Sequence, residues 1–362
     1  MPTGRAHGLQ IMTMCEEFAA QGAKIDLVIP AKKNFAEADP FIYYDVARSF
    51  SIRRVGVPDL GSRTSMLPHV TFLLDVLFFG IALLFSDVGR RNEIVYCRDY
   101  PLLFFLPRRN LTILEVHDVP RWTWIFKRAI SRADLFVAIT RGVKDALVER
   151  GVAPERILVA PDGVHLEDFA NPESRENARR RLGLPLDKKI AMYIGWIDYW
   201  KGTDTLFEAA TRLKGAMAVV IGALSRDLPK LRRVHPAVTF FEMRPYKELA
   251  DNQAAADVLI LPASGKHAIS TRYTSPLKLF TYMTSGVPIV AADVPSLREV
   301  LDDRTCFWYR VGNADDLARV VEYALAHRKE GQEKALVAKE LVKRYTWEER
   351  ARNILLFLRD KS

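Results

Sequence analysis

Residues 273–293 read as a helix that hands directly into a short apolar strand, with a helix N-terminus suited to hold an anion. Ser275 suits an N-cap and Pro276 the first helical position, so the free N–H groups of a first turn are expected to begin here. Gly286 ends the helix, and residues 287–291 follow as a short apolar strand, the repeating hand-over of open α/β sheets. Lys278 stands in the first turn, where the helix dipole disfavours a cation. A phosphate held between its ammonium and the N–H groups explains that placement; the competing reading is a lysine that snorkels to water.

The same alternation runs along the chain. A helix over 9–21 closes on Gly22 and leads to a strand at 24–30, with the chain opening in a loop before it. Further strands are expected at 93–97, 111–116 and 135–139, with helices after Pro68 and from about Trp122. Beyond residues 161–165, strands at 190–194, 218–221, 238–241 and 258–262 alternate with helices after Lys201 and over 246–256. A helix at 314–326 and a charged tail helix from Trp347 complete the pattern. Alternating strands and helices predict doubly wound parallel sheets. With 362 residues, of which 49% are hydrophobic, two cores are the natural expectation. We place the domains at 1–162 and 163–345, followed by a tail helix at 346–362 that packs back toward the first domain.

A formal charge of +9 favours anionic partners: sugar nucleotides, acidic lipid surfaces or nucleic acid. Nucleic acid is disfavoured, because the basic residues are spread along the chain with no accompanying motif. Cys15, Cys97 and Cys306 are far apart and odd in number, which fits a reducing, cytoplasmic setting, and neither they nor the seven histidines show metal-ligand spacing. No metal is expected. Residues 70–85 are strongly apolar but shorter than the ~20 residues of a membrane span. They also carry Asp75, and we read them as a buried helix. No signal-peptide pattern opens the chain. Arg53, Arg54, Arg90, Arg91, Arg108 and Arg109, with Trp122 and Trp124, offer a basic and aromatic surface for an anionic membrane, against the alternative of scattered solubilising charge and core tryptophans.

The motifs in order are Ala6-His-Gly-Leu-Gln-Ile-Met12, Val95-Tyr-Cys-Arg-Asp99, Glu115-Val-His-Asp118, Pro161-Asp-Gly-Val164, Tyr193-Ile-Gly-Trp196 with Lys201-Gly202, Arg244-Pro-Tyr246, Ser275-Pro-Leu-Lys-Leu-Phe280 and Tyr345-Thr-Trp347. Their order and spacing resemble the retaining glycosyltransferases of family 4, which have the GT-B architecture of two Rossmann-like domains facing a cleft. The resemblance implies a nucleoside-diphosphate sugar in the C-terminal domain, UDP- or GDP-linked, and a carbohydrate or lipid-linked acceptor in the N-terminal one. It needs no cofactor beyond that co-substrate. Lys201 and Lys278, with the N–H groups of Thr274 and Ser275, would grip the diphosphate, and His117 would contact the donor sugar. Arg244 and Tyr246 would flank the nucleotide base, and Gly8, with Gly4, would let a loop approach the ligand. Glu115, two residues before His117 on the same strand face, could orient it or pair with Arg98; Asp118 is a second candidate partner.

Three departures from the family's pattern are evident. Trp196 stands where an arginine is common, Thr281 where a ribose-binding glutamate is common, and Tyr273 where another glutamate often sits. The strand that usually precedes the Gly-rich loop is not found before Met1, so either the true start lies upstream or this copy is decayed. The expected activity is retaining glycosyl transfer at a cytoplasmic site, peripheral to the membrane if the basic surface is real. The alternative is an impaired GT-B protein that binds a partner without turnover.

Overall fold

The computed structural model describes residues 1–3, 6–32, 38–58, 68–88, 94–108, 111–120 and 124–361. Gly4, Arg90, Arg91, Arg109 and Trp122 lie outside these. The chain divides into two compact units. The first comprises Met1–Ile139, Val143–Pro161 and Trp347–Ser362, and the second Thr140–Gly142 and Asp162–Thr346.

The second unit is built on one six-stranded parallel sheet. Its strands are β7 (Lys189–Ile194), β8 (Ala216–Ala223), β9 (Val238–Glu242), β10 (Val258–Leu261), β11 (Ile289–Ala292) and β12 (Phe307–Tyr309), in the order β12-β11-β10-β7-β8-β9. These strands read as continuous apolar runs because helices cover both faces of a parallel sheet, and β10 and β11 are buried at every residue. The helix Ala314–Ala326 shows how the sequence sets a boundary. Asn313 accepts from Asp316 N at 2.9 Å as its N-cap, Asp315 and Asp316 sit where the dipole favours acids, and Leu317, Val320, Val321 and Ala324 form the buried stripe.

In the first unit, β3 (Val95–Cys97), β4 (Thr112–Val116), β5 (Leu135–Ala138) and β6 (Ile157–Val159) form a four-stranded parallel sheet. A separate parallel pair joins β1 (Asp26–Ala31) to β2 (Ser51–Gly56) in register from Asp26 opposite Ser51 to Ala31 opposite Gly56. β4 and β5 are fully buried, whereas β1, β2 and β3 are only partly covered. The helix Trp347–Arg359 buries Trp347, Arg350, Ala351, Ile354 and Leu358 and packs against the helix Ala6–Ala20.

Several expectations change. The first helix begins at Ala6, so Gly8 is helical rather than in a ligand-facing loop. A Cβ there would lie 2.2 Å from the Tyr44 hydroxyl, which accepts from Thr3 N and donates to Thr3 O. The apolar segment after Pro68 forms the helix Pro68–Leu84, but Leu74, Leu77, Ile81 and Leu84 are exposed, so it is not a buried helix. Strands β2, β6 and β12 were not anticipated, because three to six residues with partial burial carry little periodic signal. Among the described residues no helix is long and apolar enough to cross a membrane.

Candidate functional site

In the second unit the parallel sheet aims its C-terminal strand ends at one rim, and the reversal of strand order lies between β7 and β10. Lys201 and Lys278 come together at this rim. Lys201 closes the short 3-10 turn Tyr199–Lys201 after β7, its amide donating to Asp198 O at 3.0 Å and its ammonium 5.2 Å from the Trp200 ring. Lys278 enters from the helix Leu277–Thr284, which Tyr282 ties to β7 by accepting from Ile194 N at 2.8 Å.

Lys278 Nζ donates to the Tyr193 hydroxyl at 2.6 Å and lies 4.1 Å from that ring's centroid; the Tyr193 hydroxyl in turn donates to Trp196 O at 2.9 Å. Neither lysine makes a salt bridge among the described residues. Desolvation, and then the charge of Lys201, hold Lys278 well below the ordinary lysine value. Desolvation also lowers Lys201, against a partial restoring effect of Asp198. Two cations close together and short of counter-charge make a site for an anion.

Gly195 makes the approach possible. Its φ of 147° belongs to glycine, and a Cβ there would lie 2.8 Å from Lys278 Nζ. Trp196 follows, 40% exposed, on the wall of a cavity of about 370 Å³ that Leu231, Val234, Arg226, Lys230 and His235 also line.

The helix start differs by a residue from expectation. Pro276 occupies the N-cap position without a side-chain cap, and the Ser275 hydroxyl accepts from Asp162 N at 3.1 Å instead. Thr274 is the extended residue that closes the π-helical turn Ile269–Tyr273. Thr281 is buried, donating to Lys278 O at 3.1 Å and accepting from Gln253 Nε2 at 3.1 Å, so its hydroxyl is engaged inside the protein. Arg244 is exposed in the loop after β9. Tyr246 opens the short turn Tyr246–Glu248 with its ring edge-on to Phe169, 6.2 Å away, and burial raises its hydroxyl pKa.

The first unit holds a different constellation. Glu115, on β4 and 3% exposed, receives Gln10 Nε2 at 2.6 Å and His117 Nε2 at 2.5 Å on one oxygen, from which Arg350 Nη2 lies 3.1 Å away as an ion pair, and the Tyr96 hydroxyl on the other. Burial alone would raise its pKa, but Arg350, His117 and Arg98 together hold it well below the usual carboxylate range. An ionised carboxylate can only accept, so His117 Nε2 carries the hydrogen and Nδ1 is the nitrogen left to meet a ligand. Arg98 reaches the cluster through Gln10 Oε1 rather than by pairing with Glu115 directly. Asp118 is exposed, its pKa raised by partial desolvation, and Glu115 is the residue that holds His117.

Gln10, Tyr96 and Tyr193 stand within the quoted motifs but were given no role there, and Trp200 and Arg350 were not singled out. Arg350 left one signal, an arginine at a position of the Trp347 helix whose periodicity is otherwise apolar. The cysteines are buried and free, with burial first among the causes that push the Cys15 and Cys97 thiols up to about 12, which removes them as nucleophiles. Among the described residues no cluster of His, Cys, Asp and Glu could hold a metal ion.

Two Rossmann-like units with all-parallel sheets define the GT-B fold, and solved structures agree. The chain superposes on sucrose-phosphate synthase from Thermosynechococcus elongatus with a TM-score of 0.79 at 18% identity, covering 98% of this chain and 93% of that one. It superposes on Anabaena HepE in complex with UDP-glucose with a TM-score of 0.74 at 15% identity, covering 99% and 97%. Residues 8–168 match the family model described as Glycosyltransferase Family 4, and residues 188–327 that described as Glycosyl transferases group 1. The chain belongs to glycosyltransferase family 4. Over 241 residues it is 27% identical to the D-inositol 3-phosphate glycosyltransferase of Mycobacteroides abscessus, which takes in 63% of this chain and 52% of that protein. It thus spans about half the length of the curated relatives it matches.

Proposed function

We propose that this chain transfers a glycosyl group from a nucleoside-diphosphate sugar to a polysaccharide precursor, a lipid carrier or a small acceptor, with retention of anomeric configuration. The observation that carries the reading is the pair Lys201 and Lys278, two desolvated ammonium groups without a salt-bridge partner among the described residues, at the C-terminal rim of a parallel sheet. Breaking the bond between the anomeric carbon and the diphosphate oxygen leaves extra negative charge on the departing phosphate. Cations already held in place stabilise that charge without reorganising. The acceptor oxygen then bonds to the anomeric carbon from the face the phosphate leaves, and its proton passes to a phosphate oxygen. In this scheme the lysines supply the positive charge and no metal is needed.

His117 Nδ1 is the group of the first unit we assign to the donor sugar, with Glu115 as its positioning residue. Trp196 offers a part-exposed aromatic face on the cavity wall after Gly195, in place of a charged side chain. We assign Thr274, Ser275, Arg244 and Tyr246 to the donor's surroundings. UDP- and GDP-sugars are the donors to try first.

The test is turnover of a panel of UDP-, GDP-, ADP- and dTDP-sugars, with the product's anomeric configuration read by NMR. Retained product lost in both Lys201→Ala and Lys278→Ala supports the assignment, and inverted product refutes it. A second reading, a protein that binds a nucleotide without turnover, draws on Thr281, whose hydroxyl is committed to Gln253 and the Lys278 carbonyl rather than open to a ribose. Nucleotide binding without turnover of any donor would favour it.

A further inference from the structure

Arg350 stands where the fold alone calls for an aliphatic side chain. It lies in the buried stripe of the helix Trp347–Arg359, with Trp347, Ala351, Ile354 and Leu358, and is 4% exposed. Its Nη2 is 3.1 Å from the Glu115 oxygen that also receives His117 Nε2 and Gln10 Nε2, and its Nε donates to Ala160 O at 3.2 Å and Pro161 O at 3.0 Å. A buried ion pair is often no more stable than well-packed apolar residues of similar volume, because both charges must first leave water. Stability therefore gives little reason to keep Glu115 and Arg350 together in this core. The group that depends on their pairing is His117.

Glu115 is held from two helices. Gln10 comes from Ala6–Ala20 and Arg350 from Trp347–Arg359; these helices pack against each other, and Gln21 Nε2 donates to Glu348 O at 2.9 Å beside them. The Tyr96 hydroxyl fixes the other carboxylate oxygen from β3. With both oxygens engaged the carboxylate cannot turn, so the hydrogen on His117 Nε2 has one place to point and Nδ1 is left bare. Arg350 also supplies charge. Burial pushes the Glu115 pKa up, and Arg350 leads the charges that bring it down, ahead of His117 and Arg98. A protonated Glu115 can donate to the imidazole and reverse its tautomer.

We propose that Arg350 is a positioning residue for glycosyl transfer, acting through Glu115 to hold the His117 imidazole with Nε2 protonated and Nδ1 free for the donor sugar. The proposal rests on the reading of His117 as the residue that meets that sugar. Facing the Glu115–His117 pair are Arg350, Arg98 through Gln10, Tyr96, the buried Cys15 thiol, and Asp99, which lies close enough to His117 to feel its charge. Arg350 and Arg98 are the cations among these. Without Arg350 the pair takes up its first proton at higher pH, whichever partner receives it.

The experiment is steady-state release of nucleoside diphosphate by the full chain, from whichever UDP-, GDP-, ADP- or dTDP-sugar the wild type turns over. The variants are Arg350→Met, Arg350→Lys, Glu115→Gln, and Arg350→Met combined with Glu115→Gln, each checked first by thermal unfolding. Arg350→Met should lower kcat roughly tenfold to a hundredfold with the donor KM little changed, and should move the acid limb of the rate profile to higher pH. Arg350→Lys, which keeps the charge, should recover part of the rate and bring the limb back. The double variant buries no unpaired charge and should unfold later than Glu115→Gln, yet turn over no more slowly than it, because Arg350 acts through Glu115. A further loss of kcat in the double variant would overturn the proposal, as would a folded Arg350→Met with wild-type kcat and pH profile. A wild type that turns over no donor would refute glycosyl transfer instead, and nitrogen NMR of histidine-labelled chain then decides the inference. His117, assigned by its absence in His117→Gln, should show protonated Nε2 in the wild type and mixed tautomers in Arg350→Met. The same single tautomer in both would overturn it.

Discussion

Lys278→Met removes the ammonium while keeping an unbranched stem of similar length, and it leaves the Tyr193 hydroxyl still donating to Trp196 O. Because desolvation and Lys201 depress the pKa of Lys278 in the folded chain, the unfolded chain binds the proton more tightly. The wild-type penalty is therefore greatest below the folded value, and it fades as pH rises through that value toward the ordinary 10.5. The apo variant should unfold at the same temperature as wild type or higher at pH 7, with that difference shrinking toward pH 10. Ligand response should move the other way. A nucleoside diphosphate at about a hundred times its dissociation constant stabilises the wild type by roughly 2.7 kcal/mol. Losing one charged hydrogen bond costs about 1.5–3 kcal/mol of binding, so at the same concentration only roughly 0.3–1.3 kcal/mol of stabilisation should survive. For a unit of this size the wild-type shift is about 5–11 °C, large enough for a dye-based melt, and the variant's about 1–5 °C. An unchanged ligand shift in Lys278→Met would refute the anion site. A sharp fall in apo stability would show that the ammonium serves the fold rather than a ligand.

Three further outcomes follow from the same geometry. Glu115→Gln leaves the buried Arg350 guanidinium short of its charge partner and should cost about 3–5 kcal/mol in urea unfolding of the first unit at pH 7. Since the folded Glu115 pKa is depressed, that deficit should begin to shrink as pH falls below about 4.3, the unfolded value; a deficit independent of pH would refute the ionic assignment. Gly195→Ala forces a side chain to φ 147° and against Lys278 Nζ, and should cost about 1–3 kcal/mol in thermal unfolding together with nucleotide affinity. His117→Gln should lower kcat with the donor's dissociation constant little changed if Nδ1 meets the sugar, and should leave both unchanged if the histidine serves only Glu115.

The elements legible in the sequence were those whose physics is local. Strands β7, β8 and β10 are continuous apolar runs because both of their faces are covered, and the 314–326 helix announces itself through Asn313, two acids and a spaced apolar stripe. Lys201 and Lys278 were visible as cations beside glycine and at a helix start, where an isolated chain has little use for them. That they lie close together required the sheet, which brings the turn after β7 beside a helix more than seventy residues later in the chain. The Ser275 hydroxyl went to Asp162, and Thr281 to Gln253, through contacts no local preference encodes. The Glu115 cluster depends on Arg350 returning from the far end of the chain. The apolar helix after Pro68 shows the limit most plainly. Composition placed it in a core, but which face a helix buries is decided by what it packs against, and here Phe105 takes one face and leaves the other to the solvent.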